Sequence, residues 1–478
     1  MLIQKIRNLP IGVKASVAYA VASILQSGLA FITSPIFTRI LTQNEYGQVS
    51  VYYSLTQLFG TVALFSLHAG CMDIGLQENK TDRSVFIFST LILSNIITAI
   101  TGGVLFFLWP FIKNYISISK FLLMIMFISF VLSPALTFWT RLERFEYRYK
   151  LSSVITYISA LFSSVCAILA VLYFKAFNHV YTRIVGALIP LFPIYIILYA
   201  RLAHNAHFRI NTGYWKFCFF FNLPLLPHYL SAYILGSSDR VMIAYLQGNE
   251  QAACYSFAYS LVAVATIIWT AINNSIVPFT LEKYEKKEYR EVSDTVIPIL
   301  FFFGGACVFI MLFAPEIISL LGTSQYKEAV FVIPPVITSA FFQALYFVFT
   351  NILYYMKKPQ YVMYASISSG VLNIVLNYLF IPVFGYIAAA YTTLFSYMMQ
   401  AFVDYILARK LVGEDIYEGK KIILMSVGIL LALVTVCILY KTWILRYSFI
   451  LLFFFILLIK RKKIFSYLNI MRKKSQTN

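Results

Sequence analysis

Asp239 and Arg240 are adjacent charged residues inside a long apolar segment, 217–246, where ionisable groups are costly and therefore indicate function. Neighbouring side chains on a helix point about 100° apart, so this carboxylate and this guanidinium cannot simply neutralise each other. Pro224 and Pro227 lie upstream in the same segment and loosen its helix. The sequence predicts that one of the two charges faces a binding cleft. The alternative is that both lie near the outer lipid headgroups.

A weak internal repeat relates Arg240 to a second arginine. The segment LTQNE at 41–45 aligns with LQGNE at 246–250. On that alignment Arg240 corresponds to a position four residues before Arg39, which is one helical turn away on the same face. Two guanidinium groups that converge on a cleft offer planar, bidentate donors to a phosphate. Taken alone, Arg39 is better explained as a side chain that snorkels to the outer membrane surface.

Three further acidic and basic residues lie within or beside apolar segments. Asp73 and Arg141 are near the predicted inner ends of the second and fourth segments, and we expect them to set topology or to line a gate. Asp404 lies late in the twelfth segment. The sequence leaves open whether Asp404 pairs with Arg409 or faces the cleft.

Polar uncharged side chains form a second group of candidates. Asn373 and Asn377 are one turn apart, and we expect them to form hydrogen bonds between helices, with contact to sugar hydroxyls as the alternative. His228 follows the proline pair, but no carboxylate lies at helical spacing from it. We therefore predict that His228 lies beside the substrate, and a role in a proton relay is the weaker interpretation.

The helices that position these candidates can be predicted from hydropathy. The chain contains fourteen apolar spans, and the length of most of them is close to or greater than the ~20 residues needed to cross a bilayer. The predicted spans are 14–37, 46–68, 84–112, 119–139, 151–174, 184–200, 217–246, 251–279, 292–313, 328–356, 361–382, 385–408, 422–440 and 443–459.

The basic residues predict the orientation of these spans. The 38 Lys and Arg residues fall overwhelmingly in alternate gaps, and the positive-inside rule places those gaps in the cytoplasm. Both termini are then cytoplasmic, and no cleaved signal peptide is expected before the first span. The net charge of +19 is explained by topology and by contact with anionic headgroups, so we do not predict binding to nucleic acid.

The repeat predicts two six-span lobes, 1–205 and 211–410, followed by two spans and a basic tail in 411–478. Blocks with an even number of spans share one orientation, so the lobes would be related by a parallel pseudo-two-fold axis along the membrane normal. Transporters that alternate access between the two sides of a membrane are built in this way.

Several classes of protein are disfavoured by what the sequence lacks. The six cysteines are scattered without metal-ligand spacing, and there is no glycine-rich loop for nucleotide phosphates. The longest polar gap, around 69–83, is too short for a soluble catalytic domain. We therefore predict a protein that is not an enzyme and needs neither a metal nor a cofactor.

Three stretches of the chain resemble Wzx-type polysaccharide repeat-unit flippases, members of the MATE-like MOP superfamily. They are SPIFTRIL at 34–41 running into Glu45-Tyr46-Gly47, LPLLPH at 223–228 with the following Ser238-Asp239-Arg240 and YSFAYSL at 255–261, and Leu376-Asn377 with Ile381-Pro382 and GYIAAAY at 385–391. The resemblance spans about residues 10–410. It departs from the family at Ala388, where glycine is more usual.

The resemblance implies a bilobal helical flippase of the bacterial inner membrane with twelve spans plus two. Such proteins move undecaprenyl-pyrophosphate-linked oligosaccharides of O-antigen or capsule from the cytoplasmic to the periplasmic leaflet. A polysaccharide polymerase and a chain-length regulator would then be partners. A coupling ion, H⁺ or Na⁺, would use a carboxylate such as Asp239 or Asp404. Arg39 and Arg240 would attract the pyrophosphate.

Three alternatives stay open at this point. A cation-coupled multidrug antiporter of the same fold would rely on acidic cleft residues, whereas the predicted cleft is at least as basic as it is acidic. An O-antigen polymerase would need a large outer loop, and no outer gap is long enough. A flippase for lipid II or a teichoic-acid precursor is the third alternative, and the sequence hardly distinguishes it from a flippase for O-antigen or capsule units.

Overall fold

A computed structural model describes residues 11–113, 118–146, 148–413 and 416–451, and all regular secondary structure in these ranges is helical. The helices are α1 (Ile11–Ile40), α2 (Gln43–Ala63), α3 (Cys71–Glu78), α4 (Arg83–Ile112), α5 (Lys120–Leu132), α6 (Pro134–Phe145), α7 (Tyr149–Tyr173), α8 (His179–Leu188), α9 (Leu191–Asn205), α10 (Thr212–Asn222), α11 (Leu226–Tyr233), α12 (Asp239–Gln247), α13 (Asn249–Glu285), α14 (Tyr289–Leu312), α15 (Ala314–Leu321), α16 (Ile333–Tyr355), α17 (Pro359–Phe384), α18 (Ile387–Val412) and α19 (Gly419–Leu439). The prediction of an all-α membrane protein is confirmed.

Within these ranges, ten helical segments are long and apolar enough to cross a membrane, by length and composition. They are α4, α5–α6, α7, α8–α9, α10–α12, α13, α14, the segment Ser324–Tyr355 that ends in α16, α17 and α19. The first, second and twelfth predicted spans are also helices, α1, α2 and α18, although they are not among the ten. The last predicted span is helical over 443–451, and its remainder and the basic tail lie outside the described residues. The count of fourteen and the cytoplasmic termini stay predictions.

Prolines divide several spans, as their missing N–H and ring sterics require. Pro134 begins α6, directly after α5. The span over Thr212–Gln247 is the most divided: a 3₁₀ turn at Leu223–Leu225 separates α10 from α11, and a π-helical segment at Ile234–Ser238 separates α11 from α12. The π segment was not predicted. It adds an extra residue to a turn, and such insertions are frequent at functional sites.

The chain forms two compact units, one of residues 1–260 with 366–389 and one of residues 261–365 with 390–478. In the first unit a core of large apolar side chains joins α4, α6, α9 and α10, and Trp139 on α6 is 1% exposed within it. In the second unit α14, α16 and α19 pack on one another, and α16 is buried along most of its length. The predicted lobes have different boundaries from these units and stay a prediction.

Candidate functional site

Asp239 begins α12, immediately after the π segment, and is 1% exposed. Its carboxylate accepts hydrogen bonds from the Tyr255 hydroxyl on α13 and from Asn377 Nδ2 on α17, the latter at 2.7 Å. Asn377 Nδ2 also donates to Asn373 Oδ1 at 3.2 Å, and both asparagines are fully buried. Asn377 therefore forms a hydrogen bond between helices, as predicted, and the acceptor is the Asp239 carboxylate, whereas the bond between the two asparagines lies within α17.

Hydrogen bonds within and beside the π segment define its shape. Ser238 Oγ donates to the Ile234 carbonyl at 2.7 Å, and Ser237 Oγ donates to Gln57 Oε1 on α2 at 2.5 Å. Carbonyls in a widened turn are less tightly bound within the helix, so side chains can reach them. The π segment thus anchors the start of α12 to α2 and fixes the directions of the next two side chains.

Arg240, the next residue of α12, is half-buried. Its Nη1 donates to the Gly236 carbonyl at 2.9 Å, and its guanidinium lies 4.4 Å from the centroid of the Tyr259 ring. No salt bridge within the described ranges includes Arg240. Its remaining N–H donors are therefore available to an anion, and the aromatic contact holds the planar group in place.

Arg39 lies in the last turn of α1 and is exposed. Ser34, earlier on the same helix, is buried and lies 3.0 Å from the Tyr46 hydroxyl and 3.4 Å from Ser260 Oγ, next to Tyr259 in sequence. The end of α1 is thus close to the part of α13 that carries the aromatic partner of Arg240. Joint binding of one anion by the two arginines stays a prediction.

Asp73 and Arg141 form an ion pair that the sequence did not predict. Arg141 Nη1 on α6 donates to both carboxylate oxygens of Asp73 on α3, at 2.9 and 3.0 Å. The side chains are 28% exposed for Arg141 and 48% for Asp73. The pair ties two helices of the first unit together, which is compatible with the predicted role in a gate.

Sequence reasoning missed Asn222, which ends α10 and is 1% exposed. Its Nδ2 donates to the carbonyls of Phe65 and Ser66 at 3.1 and 2.9 Å, and its Oδ1 accepts from the Cys71 backbone N–H at 3.4 Å. Phe65 and Ser66 have positive φ angles of 51° and 47°, which are unfavourable for these residue types. One amide therefore stabilises a strained turn between α2 and α3.

Two candidates remain, one in each unit. His228 lies in the first turn of α11, and its buried Nδ1 has no hydrogen-bond partner among the described residues. Asp404, on α18 in the second unit, has no hydrogen-bond partner for either carboxylate oxygen among the described residues, and its place in a cleft stays a prediction. In the described ranges no group of three His, Cys, Asp or Glu side chains could hold a metal ion.

The apolar helices and the charges within them are those of a multi-pass membrane protein. Residues 13–284, more than half of the chain, match the model of a known family, and the chain belongs to the polysaccharide biosynthesis protein family. Residues 224–379 match the MatE family. The predicted family relationship is confirmed.

Two curated relatives agree with this assignment. Protein 1 of the Lsg locus of Haemophilus influenzae is 22% identical over 386 residues, which cover 76% of this chain and 89% of that protein. A Haloferax volcanii protein described as a probable low-salt glycan biosynthesis flippase, Agl15, is 22% identical over 172 residues. That second alignment covers 35% of this chain and only 36% of the relative's length.

Solved structures show the same fold. The lipid II flippase MurJ in an inward closed conformation has a TM-score of 0.66 at 14% identity, covering 94% of this chain and 100% of that one. An inward-facing multidrug resistance MATE transporter of the MOP superfamily has a TM-score of 0.62 at 13% identity, covering 81% and 95%. The predicted MATE/MOP-like fold is confirmed.

Proposed function

We propose that the protein is a flippase that moves undecaprenyl-pyrophosphate-linked oligosaccharide repeat units, of O-antigen or capsule, from the cytoplasmic to the periplasmic leaflet of the bacterial inner membrane. Membership of the polysaccharide biosynthesis protein family and the MOP fold support a transporter with a glycan-linked role. The two six-span lobes, the cytoplasmic termini and a working partnership with a polysaccharide polymerase and a chain-length regulator belong to the same proposal.

The observation that best supports this proposal is the set of contacts that Arg240 makes. A guanidinium within a membrane span is expensive unless it has a partner, and Arg240 has no carboxylate partner within the described ranges. A pyrophosphate supplies the missing negative charge and accepts bidentate hydrogen bonds from the planar donors. The neighbouring acid, Asp239, is already hydrogen-bonded to Tyr255 and Asn377, so it competes little for that guanidinium.

The direction of transport follows from electrostatics. The cytoplasm is electrically negative, so an anionic headgroup that crosses the full field outward gains roughly 2.3 kcal/mol per charge per 100 mV. The polyprenyl chain stays in the lipid, because its apolar surface has no reason to leave the bilayer core.

The test is headgroup movement by the full-length protein in liposomes. A polyprenyl-pyrophosphate-linked oligosaccharide with a fluorescent group on the sugar is placed in both leaflets, and an impermeant reductant is added outside. We expect the protein to carry the protected inner pool outward, so that bleaching continues past the outer-leaflet fraction. A fluorescent phosphatidylcholine serves as the control lipid, and its inner pool should stay protected.

Three results would contradict the proposal. Equal movement of the phosphatidylcholine would indicate nonspecific scrambling. Uptake of a lipophilic cation with no movement of the lipid-linked sugar would indicate the multidrug antiporter instead. In cells, deletion should leave lipid-linked repeat units on the inner leaflet, whereas single unpolymerised units at the surface would point to a polymerase.

A further inference from the structure

The accessible face of α16 consists only of polar and aromatic side chains. Most of this helix is buried, and the side chains that remain accessible are Gln343, Tyr346, Phe347, Asn351, Tyr354 and Tyr355. Their spacing follows the period of the helix and places them on one side of it. The rings of Tyr346 and Phe347 lie 4.8 Å apart between centroids. Helix α16 therefore presents aromatic rings together with amide groups along a single face.

The neighbouring part of α13 exposes small and polar side chains. Between residues 270 and 278 the exposed positions are Thr270, Ala271, Asn274, Ser275 and Pro278. Asn351 Nδ2 of α16 donates to Asn273 Oδ1 of α13 at 3.1 Å, which joins the two helices within the second unit. The adjacent Asn274 amide has no hydrogen-bond partner in the described part of the chain. We call these accessible side chains of α13 and α16 the α13–α16 face.

The α13–α16 face differs from surfaces that are typical of contact with lipid. On α19 the side chains of Ile423, Leu424 and Leu431 are more than half exposed, and all are apolar. Asn274 lies eight residues before Glu282, the first charged residue toward the inner end of α13, which is about 12 Å along the axis. An asparagine side chain is too short to reach the headgroups from that depth. Exposed amides inside a span therefore face water or a ligand, because hydrocarbon leaves their hydrogen bonds unmade.

The chemistry of the α13–α16 face matches that of a sugar. A sugar ring has hydroxyl groups at its edge, and these donate to and accept from amides such as those of Asn274 and Asn351. Its C–H groups form an apolar face that packs on aromatic rings such as those of Tyr346 and Phe347. Apolar rings with a few convergent polar groups are the usual composition of a ligand-binding surface.

The two helices lack the charges that an acidic sugar would need. Helix α13 has no charged residue between Glu250 and Glu282, and α16 has none along its length. The lysines that follow α16 most closely, Lys357 and Lys358, lie beyond its end in a predicted cytoplasmic loop. A cation is therefore available at the end of the span and not on the face itself.

The helices that pack with α16 add no cation along the face. Gln343 Nε2 donates to the Tyr397 hydroxyl of α18 at 3.0 Å, and the charged residue of α18 nearest to Tyr397 in sequence is an acid, Asp404. The basic residues of α14, α18 and α19 lie at the predicted inner ends of these helices, and they are Arg290, Arg409, Lys410, Lys420 and Lys421. A sugar carboxylate on the α13–α16 face would lack a cationic partner, and an unpaired charge is strongly unfavourable away from water.

We propose that the α13–α16 face binds the sugar part of the lipid-linked substrate and selects neutral sugars over sugars that carry a carboxylate, an inference that rests on the proposed flippase function. The amides of Asn274 and Asn351 orient the sugar hydroxyl groups, and the rings of Tyr346 and Phe347 cover the C–H groups. An acidic sugar finds no cation at the same place, so it is bound poorly and moved slowly.

The first experiment compares two lipid-linked disaccharides in the same liposomes. Both carry the fluorescent group on the sugar next to the pyrophosphate, and the terminal sugar is glucose in one and glucuronic acid in the other. We expect the wild-type protein to move the glucose substrate at least about tenfold faster, because the carboxylate stays unpaired. Asn274→Lys adds a cation to the face and should raise movement of the glucuronic acid substrate relative to the glucose substrate. Gln360→Lys adds the same charge just beyond the end of α16 and should leave the ratio unchanged.

The second experiment measures binding without transport. Each disaccharide substrate is added to the detergent-solubilised full-length protein, and the melting temperature is recorded, because a ligand that binds the folded protein raises it. We expect the glucose substrate to raise the melting temperature of the wild-type protein more than the glucuronic acid substrate does, and Asn274→Lys to reverse that order. If Asn274→Lys does not fold, Thr270→Lys takes its place, because the Thr270 hydroxyl bonds only within its own helix, to the Thr266 carbonyl at 2.8 Å.

The two proposals fail in different ways. If the wild-type protein moves neither disaccharide but binds the glucose substrate preferentially, the sugar face stands and the flippase assignment is wrong. If the protein moves both disaccharides at the same rate and the lysine on α13 leaves the ratio unchanged, the flippase stands and the sugar face is wrong. An equal loss of movement for both substrates in Asn274→Lys would indicate a purely structural role and would likewise overturn the sugar face.

Discussion

Gly47 on α2 packs against the backbone of Asn249 so closely that a Cβ at Gly47 would lie 1.9 Å from the Asn249 carbonyl oxygen. Asn249 is the first residue of α13 and belongs to the second copy of the internal repeat, whereas Gly47 lies two residues after the first copy. Gln43 strengthens the same contact, because its Nε2 donates to the Glu250 carbonyl at 3.3 Å. The two predicted outer turns therefore contact each other through backbone and glycine.

Gly47→Ala should prevent this close approach. A methyl group cannot fit 1.9 Å from an oxygen, so α2 and α13 must separate, at a cost of about 1–3 kcal/mol typical of overpacking. We expect slower lipid-linked sugar transport and greater reactivity of Asn249→Cys toward an impermeant maleimide. Gly103→Ala is the control, because no atom lies within 4 Å of a Cβ there. Unchanged reactivity at position 249 would mean that the contact does not restrict access.

A short cross-link should lock the same contact. Gln43 Nε2 lies 2.8 Å from Cys254 Sγ, and a Gln43→Cys thiol lies farther from the native thiol because the cysteine side chain is two bonds shorter. A bifunctional thiol reagent with a short alkyl spacer, attached through reducible disulfides, should therefore join the two cysteines and stop transport, and reduction should restore transport. Gln48→Cys, whose native side chain bonds back to Asn44 at 3.2 Å, is the control and should be insensitive to the reagent. Full activity of the cross-linked Gln43→Cys protein would show that these turns need not separate.

Substitutions at Arg240 should rank by their ability to bind an anion. Lysine keeps the charge but loses the bidentate geometry, so Arg240→Lys should be impaired, Arg240→Ala about tenfold slower or worse, and Arg240→Glu inactive. Arg39 should follow the same order more weakly, and the double alanine variant should lose most transport. Membrane abundance is measured in parallel, with Arg201→Lys, which removes an exposed arginine over Trp139, as the control. Normal transport by Arg240→Glu would reject the anion site.

The Asp73–Arg141 pair should behave as a contact of the transport cycle rather than as a large stabilising term. Both side chains are partly exposed, so the pair contributes only ~0–1 kcal/mol to stability. We expect Asp73→Arg and Arg141→Asp to slow transport with small changes in melting temperature, and the double exchange to restore it. Exchanging Lys421 and Glu418, an exposed pair at 2.6 Å, should have no effect. Failure of the double exchange to rescue would indicate that each residue acts separately.

The orientation predicted from the basic residues can be tested with single cysteines in intact cells. An impermeant maleimide should label Asn249→Cys and should not label Lys286→Cys, because positive loops are retained inside. Lys286 is paired with Glu282 at 2.6 Å and exposed, so poor labelling there cannot be attributed to burial. The opposite pattern would invert the topology and with it the direction of transport.

The sequence by itself determined where most of the helical spans lie. In a bilayer each backbone polar group must be satisfied within its own helix, so the length and hydropathy of a segment decide its structure locally. This is why α4, α7 and α13 lie where the apolar spans predict them. Pro134 and Pro224 lie at two of the breaks, but Pro110 and Pro278 lie inside continuous helices, so proline alone does not decide where a span breaks.

Only the tertiary structure decided which polar groups meet. Asp239 receives its hydrogen bond from Asn377, which is 138 residues away, and Arg141 pairs with Asp73 across 68 residues. Such partners depend on how helices pack and rotate, and in lipid that packing is governed by shape and small residues rather than by a hydropathy pattern readable along one chain. The π turn that precedes Asp239 and Arg240, and the enclosure that leaves Asp404 without a hydrogen-bond partner among the described residues, have the same origin.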